Sequence, residues 1–162
     1  LLDLVSEPWL RQLLARCRAA RCRLLFALTY DGRCTLSPGH GDDKLVVDLV
    51  NRHQRTDKGL GAALGPSAAR AAAAECARLG YRVHQARSDW HISADEALLQ
   101  RALLDGWLEA ATAVTPALGD RLLLWRSRRE QWLAAGHSEI LVGHLDLWAE
   151  PIPRTSEDRR TR

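Results

Sequence analysis

The densest group of side chains able to accept, donate or move protons is the run His53, Gln54, Arg55, Thr56, Asp57 and Lys58. Imidazole, amide, carboxylate and ammonium groups stand almost side by side there, and Lys58 and Lys44 are the only lysines among 23 basic residues. We take His53, Gln54, Asp57 and Lys58 as candidates for contact with a substrate, because such groups can hold a polar acceptor or exchange a proton with it. The same run also reads as a solvated helix end. Tyr30 and Asp31 join the candidates because of their position. They close an apolar stretch that reads as a strand, and ligands of open α/β sheets bind beyond the carboxyl ends of the strands. A simple turn is the alternative for them.

Three further groupings carry less chemistry. Asp89, Trp90 and His91 follow a second strand and could wall a site, although a tryptophan there serves equally as packing. His144 and Asp146 project from one side of the last strand. They read as a paired surface couple, because the sequence places no serine or cysteine nucleophile beside them. The glycines of "GLGAALG", Gly59, Gly61 and Gly65, miss the dinucleotide-binding spacing by one residue and follow a charged stretch instead of a strand, so they predict a shaped loop. Cys17, Cys22, Cys34 and Cys76 form no C-x-x-C pair, which predicts reduced thiols and no metal centre.

The elements that must position these groups are marked by periodicity. Residues 7–20 carry Trp9, Leu10, Leu13, Leu14 and Cys17 on one side of a helix, with Ser6 before it and Pro8 in its first turn. Residues 23–29 include five apolar residues without alternation, as expected of a parallel strand covered on both faces and flanked on both edges. Tyr30 to Arg33 then read as a turn. A second helix begins near Asp42 or Asp43, a third follows Gly65 and Pro66 with a thin alanine stripe, and Gly80 stops it. Alternation marks a partly exposed strand over 81–86. Ser93 and Glu96 spell a capping box ahead of a long helix to about 113. A helix from Thr115 and Pro116 to Gly136 and a strand over 139–148 complete the order.

The expectation is therefore one α/β domain over 1–150 with three main strands flanked by helices, and a disordered tail over 151–162. The strand over 24–28 lacks a neighbour in this inventory. Net charge is +3 on 162 residues. Arginine far exceeds lysine, which fits a GC-rich bacterial genome better than a nucleic-acid surface, so nucleic acid is not an expected partner. No apolar stretch approaches membrane-spanning length and no leader is visible, which places the chain in the cytoplasm by expectation. The sequence holds no methionine, position 1 included, which suggests a chain that starts inside something longer.

Several segments together resemble one family: "DLVSEPWL" at 3–10, "LLFALTYDGR" at 24–33, "NRHQRTDKGLGAALGP" at 51–66, "SDW" at 88–90, "LLDGWLEAA" at 103–111 and "GHLDLWA" at 143–149. They look like the C-terminal part of bacterial class I S-adenosylmethionine-dependent methyltransferases. The resemblance implies a Rossmann-like sheet whose last strand, 139–148, runs antiparallel between the strands at 23–29 and 80–87. It also implies that the first four strands, with the glycine-rich turn that holds the methyl donor, lie outside this sequence. No cofactor-binding residue is then intact, and the chain alone is expected to be inactive. What it would supply is the side of the site facing a small-molecule methyl acceptor, with Tyr30, Asp31, His53, Gln54, Asp57 and Lys58 as its candidates. The competing expectation is a non-catalytic interaction module of the same descent, which uses its open sheet edge to form a homo-oligomer.

Overall fold

The computed structural model describes residues 2–153; the first residue and residues 154–162, which hold most of the expected tail, lie outside the described part. Helix α1 (Glu7–Ala19) buries Leu10 and Leu14, four residues apart on one stripe, and carries a proline in its first turn. It stops where Arg21 turns left-handed at φ 55° and the Cys22 N–H returns to the Cys17 carbonyl at 3.0 Å. Strand β1 (Leu24–Ser37), helix α2 (Asp43–His53) and helix α3 (Ala68–Arg78) follow, the last entered through a 3-10 turn at Gly65–Ser67. Then come β2 (Tyr81–Arg87), β3 (Trp90–Ile92), α4 (Ala97–Val114), α5 (Gly119–Ala134) and β4 (Glu139–Pro151). The expected start of α4 is present: the Ser93 N–H donates to Glu96 Oε2 at 2.9 Å, one half of a capping box.

Strand β4 is the spine of the sheet. It pairs antiparallel with β1 along one side, from Leu24 opposite Ala149 to Ser37 opposite Glu139. Along its other side it pairs antiparallel with β2, Tyr81 opposite Pro151 through Arg87 opposite Leu145, and then with β3, Trp90 opposite Val142 through Ile92 opposite Ile140. The architecture is α/β with an open antiparallel sheet of four strands, and the last strand in the chain lies between the first and second. The fourth strand, β3, escapes sequence reading because three residues are too few for alternation to register.

Side-chain alternation along β4 splits the interior in two. Ile140 and Val142 point to one face, where α2, α4 and α5 cover them with Leu36, Val46, Leu49, Val50, Leu104, Trp107, Leu122 and Trp125. Leu147 and Ala149 point to the other face at the opposite end, where α1 and α3 bring Leu10, Leu14, Ala68, Ala72 and Cys76 over Leu24 and Tyr81. We call these the tryptophan core and the alanine core.

Four expectations are corrected. The strand over 24–28 is neither central nor parallel nor covered on both faces: β1 is an edge strand, and Leu25 and Leu28 are 64% and 48% exposed. Its unbroken apolar run arises because Leu24 and Phe26 face the alanine core while Leu25 faces the uncovered side. Tyr30 to Arg33 are no turn but an irregular stretch inside β1, where register slips against β4 and Gly32 takes φ 89°. Position 151, placed in the tail by expectation, belongs to the sheet: Pro151 closes β4, and the Ile152 N–H donates to the Gly80 carbonyl at 2.9 Å. Finally, His144 is no surface residue: it is 6% exposed.

Candidate functional site

The two slips in β1 bring most of the singled-out residues to the middle of the sheet. Tyr30 stands opposite His144 on the face shared with the tryptophan core, their rings edge to face at 6.3 Å. The Tyr30 hydroxyl donates to Asn51 Oδ1 at 2.8 Å, and Asn51 Nδ2 donates to the Gly32 carbonyl at 3.0 Å. This pair ties the end of α2 to the irregular part of β1. Burial first, then the neighbouring Cys34, pushes the Tyr30 hydroxyl well above the ordinary tyrosine range, so Tyr30 acts as a neutral hydrogen-bond donor at physiological pH. Burial likewise pushes the Cys34 thiol up to about 11.

Trp90 completes the aromatic group, its ring 4.8 Å from that of His144. The His144 Nδ1–H donates to the Val142 carbonyl at 3.1 Å, since a carbonyl can only accept. Two residues along the strand, Asp146 accepts from Ser88 Oγ at 2.6 Å and from the Leu28 N–H at 2.7 Å. These two donors, Ser88 foremost, hold its carboxyl below the ordinary range.

Asp31 turns to the opposite face and belongs to an ion cluster. Arg33 donates through Nε to Asp31 Oδ2 at 2.7 Å and as a fork to Asp89, at 3.0 Å from Nη1 and 2.6 Å from Nη2. Asp89 also accepts the His144 backbone N–H at 3.1 Å. Arg33 foremost, then that N–H, holds the Asp89 carboxyl down at about 2. The cluster lies directly over Gly143: a Cβ there would meet Asp31 Oδ1 and come within 2.7 Å of Arg33 Cβ. Asp31 is thus a partner of Arg33 in a closed arrangement, and Tyr30 and Asp31, adjacent in sequence, serve different faces.

The polar run after α2 is divided as well. Asp57 Oδ1 accepts the N–H groups of Gly59 and Gly61 at 2.7 and 3.1 Å and shapes the glycine loop. Gln54 approaches Gly65 so closely that a Cβ on residue 65 would lie 3.1 Å from its carbonyl oxygen. The His53 carbonyl accepts the Thr56 hydroxyl at 2.9 Å, and the His53 and Lys58 side chains are half-buried. This loop docks on the chain's start, with Leu64 N–H donating to the Val5 carbonyl at 2.9 Å, and Pro66 meets Gly32 of β1. The "NRHQRTDKG" and "TYDG" segments are therefore neighbours through Asn51, Gly32 and Pro66.

Sequence reasoning missed Asn51, Arg33 and Gly143. Asn51 and Arg33 are ordinary polar residues until register slips bring their partners to them, and a glycine inside a strand is the one signal the sequence offered of a close approach. The arginines of α5 are largely paired within the chain: Arg121 with Asp42, Arg126 with Asp105 and Glu130, and Arg129 with Asp43. Among the described residues no helix is long and apolar enough to cross a membrane, and no group of three or more histidine, cysteine or acidic residues could hold a metal ion. No protein-family model, no curated protein and no solved structure matches the chain.

Proposed function

We propose that the chain forms the acceptor-facing part of an S-adenosylmethionine-dependent methyltransferase domain and works with a donor-binding unit that adds strands beyond the open edge of β1. The observation that carries this reading is the sheet order, in which an antiparallel last strand is inserted between β1 and β2. The outer edge of β1, with exposed Leu25 and Leu28 beside a part-exposed Trp148, supports it as a seam prepared for more sheet. The described residues do not themselves fit the donor: the one glycine-rich loop follows a helix, and Asp57 already takes two of its N–H groups. Tyr30, Asn51, His144 and Trp90 supply hydrogen-bonding groups and flat aromatic surfaces for a small-molecule acceptor.

Calorimetry tests the reading. Residues 1–162 alone should show no saturable binding of S-adenosylmethionine, whereas the polypeptide extended through the reading frame upstream of Leu1 should bind it at micromolar concentration. Micromolar binding by residues 1–162, or none by the extended polypeptide, refutes the assignment.

The exposed β1 edge also favours a second reading, an interaction module that forms homo-oligomers through that edge. Sedimentation that finds a well-folded monomer at high micromolar concentration rejects it.

A further inference from the structure

Cys17 and Cys22 look unrelated in the sequence, and the end of α1 brings them together. Counting back from Arg21, the left-handed residue, Ala20 closes the helix, Cys17 is the third residue before Ala20, and Cys22 is the first beyond Arg21. The Cys22 N–H donates to the Cys17 carbonyl at 3.0 Å and the Arg21 N–H to the Arg18 carbonyl at 3.1 Å. This termination folds the chain back and sets these two positions side by side, where a side-chain contact frequently accompanies such a helix end. The 3.0 Å backbone bond makes the two residues direct neighbours, and a disulfide joins residues whose Cα atoms lie roughly 4.4–6.8 Å apart. Cys22 is exposed and reachable by a solute, while Cys17 is half-buried behind it.

A third thiol sets up the competition. Cys76 of α3 is fully buried in the alanine core against which Cys17 packs, and burial pushes it up to about 11. Burial, and secondarily Cys22, also raises Cys17. Cys22 is the thiol that an oxidant meets first, and Cys17 is the neighbour placed to resolve it.

We propose that Cys17 and Cys22 form a reversible oxidation site for small peroxides, closing a disulfide across the left-handed end of α1. The Cys22 thiolate takes one oxygen from hydrogen peroxide, breaking the O–O bond and giving a sulfenic acid as the other oxygen leaves as water. The Cys17 thiolate then attacks that sulfur, the S–O bond breaks, and a second water leaves. Two thiols and one peroxide yield one disulfide and two waters.

The test treats the folded chain with hydrogen peroxide, blocks remaining thiols with iodoacetamide, and maps disulfide-linked peptides by mass spectrometry. The expected result is a loss of two alkylatable thiols, with about ten times more Cys17–Cys22 bridge than any other pairing, reversed by dithiothreitol. Cys22→Ser and Cys17→Ser should each abolish that bridge, and Cys34→Ser should leave it unchanged. Circular dichroism on each variant confirms that it is folded. A dominant Cys17–Cys76 bridge, bridges between copies, or Cys22 oxidised beyond the sulfenic acid with Cys17 still alkylatable overturns the proposal.

Discussion

The two ends of β4 are packed by opposite means. At its start, the tryptophan core fills a wide space between sheet and helices with Trp107, Trp125 and leucines, and anchors them with polar bonds: Trp125 Nε1 donates to Asp43 at 2.8 Å, and Arg129 pairs with the same carboxylate. At its end, α3 lies close to the sheet because Ala68, Ala72 and Cys76 keep its inner face thin. The first end gains stability from large apolar area, the second from close approach. A substitution that shrinks a residue should therefore injure the first end most, and one that enlarges a residue should injure the second.

The largest expected effect is Trp125→Ala. It empties a site that is 1% exposed and leaves the Asp43 carboxylate short of a donor, so it should cost about 3–5 kcal/mol in urea denaturation. Gly143→Ala comes next at about 1–3 kcal/mol, because a methyl group must displace Arg33 and Asp31 from the middle of the sheet. Ala72→Leu should cost a similar amount by levering α3 off the sheet, and Leu at the wider tryptophan end offers the contrast: Leu108→Ile, half-buried there, should stay under about 1.5 kcal/mol. If Ala72→Leu is neutral, the distinction between the two ends fails.

The smallest expected effect concerns acid. Asp89 is held at about 2, below the ordinary carboxylate value of 3.8, by Arg33 and by the His144 N–H. A depressed carboxylate stabilises the fold fully above its unfolded value, and that contribution fades as pH falls from about 4 towards 2. Urea midpoints across that interval should drop less steeply in Asp89→Asn than in the parent chain. An unchanged slope would show that the ion cluster does not differ between the folded and unfolded states. Leu25→Lys should change stability by under about 0.5 kcal/mol, because the residue is mostly exposed in this fold. Under the proposed function it should still block assembly with a donor-binding unit.

What the sequence disclosed follows from the range of each signal. Helices α1, α3 and α4 were legible because caps, stops and 3.6-residue periodicity are local, and so was the alternation of β2. The order of strands was reached through a family resemblance, since no local pattern says which strand β4 will choose. Failures gathered in β1. Leu24 to Leu28 are apolar for three separate reasons, a buried core, an open face and an edge, and composition cannot tell these apart. The candidate site suffered likewise: Tyr30 and Asp31 were found by position, but their separation onto two faces depends on a slip near Gly32 that only long-range pairing defines. His144 was misjudged because its cover comes from Trp90 and Tyr30, 54 and 114 positions away by residue number.

The kink at Leu28 has a consequence for life in a crowded solution. Its left-handed backbone, at φ 52°, turns the N–H inward to Asp146, so the first stretch of the free margin of β1 is an uninterrupted ladder from Leu24 to Ala27 and breaks there. Four residues of extended chain span about 13 Å. That is enough for a matched strand to seat beside β1 and too little to template the endless stacking that turns exposed margins into fibres. Leu28 thus sets a limit on the length of any strand that would seat along this stretch of the margin.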